Sequence, residues 1–161
     1  MNYGHIDPRL SGVNLRTVAK YLHAACELGQ VAPFTSLLPE SKCFQLLNKR
    51  AEDEGLIYRD ECKFYGTRQI ILVSGSVAEH RDEGLGLVLS WLIYQKPLKG
   101  KTAAEYSCYL QTGNGEHAVT LGDVFLFNAT QRHAWMSNFD CALAQITVSK
   151  PRKRNELLRR A

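Results

Sequence analysis

Two stretches of the chain carry residue types that can do chemistry together. Residues 79–84 read Glu-His-Arg-Asp-Glu-Gly, and residues 122–135 read Gly-Asp-Val-Phe-Leu-Phe-Asn-Ala-Thr-Gln-Arg-His-Ala-Trp. On a strand, residues i and i+2 point to the same face, so His80 and Asp82 present an imidazole and a carboxylate side by side. The second stretch is a turn, an apolar strand and another turn, which together deliver His133 to a neighbouring strand. Two imidazoles and a carboxylate on facing strands form a facial triad. Such a set leaves coordination positions open for substrate, cosubstrate and O₂, and it suits non-haem Fe(II). The donors are borderline to hard, so Mn, Ni or Zn also fit. The plain alternative is a chance His-x-Asp pair and a hydrogen-bonded core histidine. His5, His23 and His117 read as surface or structural residues.

The elements that must hold this triad begin with two helices. Residues 14–29 place Leu15, Val18, Leu22, Ala25 and Cys26 on one stripe, with Gly29 suited to the C′ position. Residues 39–55 turn Phe44, Leu47 and Ala51 inward and end at another glycine; residues 31–38 between them, with Pro33, read as a loop. From residue 56 the pattern changes to strands, expected at 63–73, 86–94, 104–110, 117–120, 123–127, 131–136 and 141–148. Residues 112–115 (Thr-Gly-Asn-Gly) are a hairpin turn, because Asn-Gly tolerates positive φ. Gly122-Asp123 marks a second turn. A helical first third followed by short strands means α+β, with the strands in a sandwich or barrel.

Composition agrees with one globular domain. The 161 residues are 45% hydrophobic and 22% charged. No apolar run reaches the roughly eighteen residues of a membrane span, and residues 1–10 lack the apolar core of a secretory signal. A cytoplasmic protein with no membrane association is therefore expected. Five cysteines (Cys26, Cys43, Cys62, Cys108, Cys141) are widely spaced and never paired as Cys-x-x-Cys. They read as reduced core thiols rather than a disulfide framework or a zinc site. The formal charge of +4 is concentrated in residues 150–161, where Lys150, Arg152, Lys153, Arg154, Arg159 and Arg160 face one acid, Glu156. No Gly-x-Ser-x-Gly, phosphate-binding loop or His-Glu-x-x-His pattern is present.

The order His80-x-Asp82, then hairpins, then Leu121-Gly-Asp-Val-Phe-Leu-Phe leading to His133, resembles the double-stranded β-helix (jelly-roll) proteins. These include cupins, JmjC-type hydroxylases and 2-oxoglutarate/Fe(II) dioxygenases. The resemblance covers about residues 63–149 and implies a single domain, 1–149, with a helical region (1–55) buttressing a β-helix core (56–149). Residues 150–161 would be a basic tail. It further implies Fe(II) held by His80, Asp82 and His133, with 2-oxoglutarate as cosubstrate of a hydroxylase.

The chain departs from that family at the residue that clamps the cosubstrate's far carboxylate. Where the commonest subgroup has Arg-x-Ser, this chain has Gln145 and Thr147. A glutamine donates hydrogen bonds but supplies no charged clamp. Lys96 (or Lys99) and Arg68, with Tyr65 as hydroxyl partner, are the other possible cosubstrate residues. Trp91, Tyr94, Phe127 and Trp135 are possible pocket walls, with core packing as the alternative. Lys150, Arg152, Lys153 and Arg154 suit contact with a nucleic acid, as against a solubilising tail. Two further functions fit the same scaffold: a cosubstrate-free, metal-dependent cupin enzyme, and a non-enzymatic binding or inhibitor protein contacting its partner through the basic tail.

Overall fold

Helix α1 (Leu15–Glu27) starts where its side-chain cap allows. Asn14 Oδ1 accepts from the backbone N–H groups of Arg16 and Thr17 at 3.0 and 3.2 Å, satisfying donors that have no partner inside the helix. Helix α2 (Lys42–Asp53) stops at Gly55, whose φ of +71° suits a residue without a Cβ. The Leu56 N–H bonds Ala51 O at 2.8 Å and the Gly55 N–H bonds Glu52 O at 3.0 Å, which is the Schellman closure. The computed structural model describes residues 2–27, 32–33, 42–56, 68–82 and 86–148. The expected C′ glycine of the first helix (Gly29), residues 39–41, residues 63–67 and the tail lie outside them.

The strands are β1 (Asn2–His5), β2 (Ala32–Pro33), β3 (Arg68–Val73), β4 (Val77–His80), β5 (Leu87–Gln95), β6 (Cys108–Thr112), β7 (Gly115–Ala118), β8 (Asp123–Asn128), β9 (His133–Ser137) and β10 (Cys141–Val148). Among the described residues they form a 6-stranded sheet in the order β1-β8-β5-β10-β3-β2 and a 4-stranded sheet in the order β4-β9-β6-β7. Every described pairing is antiparallel. The fold is α+β.

The large sheet is buried on both faces, and the period of two along its strands divides them. Ile70, Leu72, Leu89, Trp91, Ile93, Ala142, Ala144 and Ile146 face Val18, Leu22, Phe44 and Leu47 of the helices. The intervening Val73, Leu92, Cys141 and Leu143 face Leu110 and Trp135 of the small sheet. The order is therefore helices, large sheet, small sheet, with an apolar layer in each gap. This explains why β5 reads as a nearly continuous apolar run: neither parity is solvent-facing.

Three features of the N-terminal half and the turns depart from the sequence expectations. The stretch read as helical also supplies both edges of the large sheet. β1 pairs with β8, and β2, within the expected loop, pairs with β3. β1 (Asn-Tyr-Gly-His) has no apolar alternation and is mostly exposed, so only its neighbour's free edge makes it a strand. In the β6–β7 hairpin, positive φ falls on Gly115 (+110°), while Asn114 keeps negative φ. Among the described residues no helix is long and apolar enough to cross a membrane.

Two predictions follow from the packing. Gly122 opens β8 with φ +94°, and a Cβ there would run into the His5 imidazole at the edge of β1. Gly122→Ala should cost about 1–3 kcal/mol, seen as a lower Tm without loss of the fold. Cys43, Cys108 and Cys141 are buried in the core. Burial pushes Cys43 and Cys108 from the ordinary 9.0 up to about 12. Because the folded values are raised, the stabilisation is complete below the unfolded thiol pKa and is lost as pH rises from 9.0 towards about 12. Both thiols should resist an aromatic disulfide reagent in the native protein at mildly alkaline pH and react on unfolding. The urea midpoint should fall across that alkaline window.

Candidate metal centre

β4 and β9 pair so that His80 lies opposite His133 and Val77 opposite Trp135. Three steps on β4 match two on β9, so a bulge lies between these pairs. Simple alternation would turn Val77 and His80 to opposite faces. With the bulge, both line the space between the sheets. His80 ends β4, and Asp82 lies beyond the strand rather than on it, as the i, i+2 argument had placed it. Its direction is set instead by the backbone: Asp82 N–H donates to Ala129 O at 2.8 Å, and Ala129 N–H donates to Gly86 O at 2.9 Å. The turn before β9 is closed by the Asn128 carboxamide, which accepts from Thr130 N–H at 3.1 Å and Thr130 Oγ1 at 2.6 Å.

The three side chains converge. Asp82 Oδ1 lies 3.5 Å from His80 Nε2, and Asp82 Oδ2 lies 3.2 Å from His133 Nε2. The imidazole centroids are 4.3 Å apart. One donor atom from each residue lies within 4.8 Å of the others, as a shared metal ion requires.

Both imidazoles are held in the tautomer that a ligand needs. His80 Nδ1 contacts Ala78 O at 2.7 Å, and His133 Nδ1 contacts Gln131 O at 2.8 Å. A carbonyl oxygen only accepts, so each Nδ1 carries a hydrogen, and Nε2, the ring atom left for a ligand bond, faces Asp82. The His133 side chain is 7% exposed, whereas His80 and Asp82 are 37% and 39% exposed. The centre is thus anchored on the His133 side, where Phe127 packs at a ring distance of 5.0 Å, and open on the other.

A cavity of about 360 Å³ runs from the triad between the sheets. Its walls are apolar and aromatic (Val88, Leu110, Phe125, Phe127, Trp135, Leu143), and its polar lining is Gln69, Gln145 and the triad. No Lys or Arg is among its described lining residues.

The other residues singled out in the sequence divide clearly. Gln145 lines the cavity; Thr147 shares its strand face, one alternation further on, but is not part of the lining. Arg68 does not reach the cavity: it shares strand parity with Ile70 and Leu72, which face the helices, and burial lowers its pKa. Lys96 follows the end of β5, where its N–H bonds Asp140 O, while the triad lies by Gly86 beside the start of that strand. Lys99 is exposed on the turn after it. Phe127 and Trp135 are cavity walls, whereas Trp91 and Tyr94 pack on the helix side. Tyr65, Lys150, Arg152, Lys153 and Arg154 lie outside the described residues. Sequence reading missed Gln69 and Ser90. The available signal was a single serine inside the apolar run of β5.

No family model and no curated protein matches the chain. Among solved structures it is similar to a cupin superfamily protein from Desulfitobacterium hafniense, with 21% identity over 52% of this chain and 68% of that one, at a TM-score of 0.35. It is also similar to a cupin-2 domain containing protein from Shewanella frigidimarina, with 12% identity over 61% of this chain and 98% of that one, at a TM-score of 0.34. Similarity of this degree assigns neither a family nor a ligand.

Proposed function

We propose that this chain is a metal-dependent enzyme on a double-stranded β-helix, with His80, Asp82 and His133 as the protein ligands of one divalent ion. The strand order supports the scaffold. From β3 to β10, successive strands alternate between the two sheets in the jelly-roll manner, apart from the β6–β7 hairpin. The observation that carries the metal reading is the pair of Nδ1–carbonyl hydrogen bonds, which leaves two Nε2 atoms facing one carboxylate. Two imidazoles and a carboxylate with an open side suit Fe(II) best among common ions.

A bound divalent ion would supply Lewis acidity and, as iron, electrons for O₂ chemistry. The chain's own residues supply the rest. Asp82 would offset part of the ion's charge, and His80 and His133 would offer it Nε2, since each Nδ1 hydrogen is already engaged by a backbone carbonyl. Phe127 and the apolar walls keep water from the inner side, and the exposed edge formed by His80 and Asp82 is the entry route.

The reading best supported is the cosubstrate-free cupin enzyme. A 2-oxoglutarate-dependent hydroxylase would need a cation for the far carboxylate, and the described lining offers the Gln145 amide instead.

Elemental analysis after loading with Fe(II) without oxygen should give about one ion per chain, the usual content of a facial triad. Asp82→Ala and His133→Ala should each lose most of that metal while keeping the wild-type circular dichroism spectrum. Unchanged metal content in both ligand variants would sink the proposal. Tight 2-oxoglutarate binding with succinate release would restore the hydroxylase reading.

A further inference from the structure

The polar residues deep in the cavity are organised as carefully as the triad. Gln145, near the middle of β10, is 7% exposed and has Gln69 on β3 and Ser90 on β5 as its cross-strand partners. Their side chains follow that register. Gln69 Nε2 donates to Gln145 Oε1 at 3.3 Å, and Gln145 Nε2 donates to the fully buried Ser90 Oγ at 2.9 Å. A primary amide has two donor hydrogens and two acceptor lone pairs. These bonds use one hydrogen of each amide nitrogen and one lone pair of Gln145 Oε1. Capacity of both kinds remains on two side chains that line the cavity.

The cavity wall beside these amides is aromatic and includes Trp135, 5% exposed. The surrounding rings set the ligand's character. Phe125 lies 18° from the plane of Trp135 and 23° from that of Phe127, with centroids 5.9 and 6.2 Å away, so the three rings run roughly parallel and give the cavity an aromatic side.

We infer that Gln145 and Gln69, beside the Trp135 ring, form a charge-neutral subsite for a largely apolar, aromatic ligand carrying an uncharged polar group of the carboxamide or lactam type. An amide matches the remaining donors and acceptors. A carboxylate would give up its hydration for neutral donors, with no Lys or Arg among the described lining residues to offset its charge. This names the substrate class of the proposed metal site and rests on that reading for the ligand being a substrate. The binding preference does not depend on it.

Calorimetric titration with 2-naphthamide and with 2-naphthoate tests the inference on full-length protein of measured metal content, before and after EDTA. The chelated sample separates subsite binding from direct coordination of a carboxylate by metal. The amide should bind about tenfold tighter than the acid in the chelated sample. Gln145→Leu, and independently Gln69→Leu should the first variant misfold, should reduce that preference to about threefold or less by removing one hydrogen-bonding partner. Equal or tighter binding of the acid after EDTA, failure of both probes to bind, or a preference unchanged in a folded glutamine variant would overturn the inference. An amide preference in a protein that takes up no metal would sink the metal reading and leave this one standing. Metal uptake without the preference would do the reverse.

Discussion

The register between β4 and β9 is the constraint on which the rest of the site depends. Side chains alternate faces along a strand, so a slip of one residue would turn His80 away from His133 and empty the triad. Two features oppose that slip. The bulge in β4 lets Val77 pack into the apolar gap opposite Trp135 while His80 still faces inward. Beyond the strand end, the Asp82 N–H bond to Ala129 O ties the carboxylate to the turn that launches β9. Both histidines and the aspartate are therefore oriented by backbone hydrogen bonds as well as by packing.

That local order is affordable because the large sheet is anchored on its other face. Strands β3, β5 and β10 send alternate residues to the helices and to the small sheet, and each gap holds its own apolar cluster. Burial of one parity against α1 and α2 leaves the other free to line a cavity without the sheet losing its core. The cavity's polar groups are then placed by register: Gln69, Gln145 and Ser90 meet because they are directly opposed on adjacent strands. A cross-strand set of this kind is rigid, which favours selectivity over adaptability.

Much of the site was legible in the primary structure, though for uneven reasons. His80, Asp82 and His133 stood out because a His-x-Asp pair is followed by hairpins and then by an apolar strand leading to a second histidine, and the three do converge. Gln145 was noticed for the charge it lacks, and it lines the cavity. Arg68 and Lys96 were drawn in by charge and sequence distance, and the fold sends one towards the helices and the other to the far end of β5. Charge is visible in a sequence; the parity and strand end that aim it depend on pairing partners far away.

Local chemistry therefore determined the two helices, through their apolar stripes, the Asn14 cap and the Gly55 stop. It also determined the strand-rich remainder and the identity of the metal-ligand candidates, since propensity and donor type belong to single residues and near neighbours. Tertiary structure decided what long-range pairing alone can set. The free edge of β8 made a strand of Asn2–His5, and the bulge opposite β9 turned His80 inward. A hydrogen bond to Ala129 placed an aspartate that lies on no strand. Register across three strands turned Gln69, Gln145 and Ser90, unremarked or unrelated in the sequence, into one connected polar group. Hydrogen bonds between strands distant in the chain carry no local signature, so these features exist only once the sheets have formed.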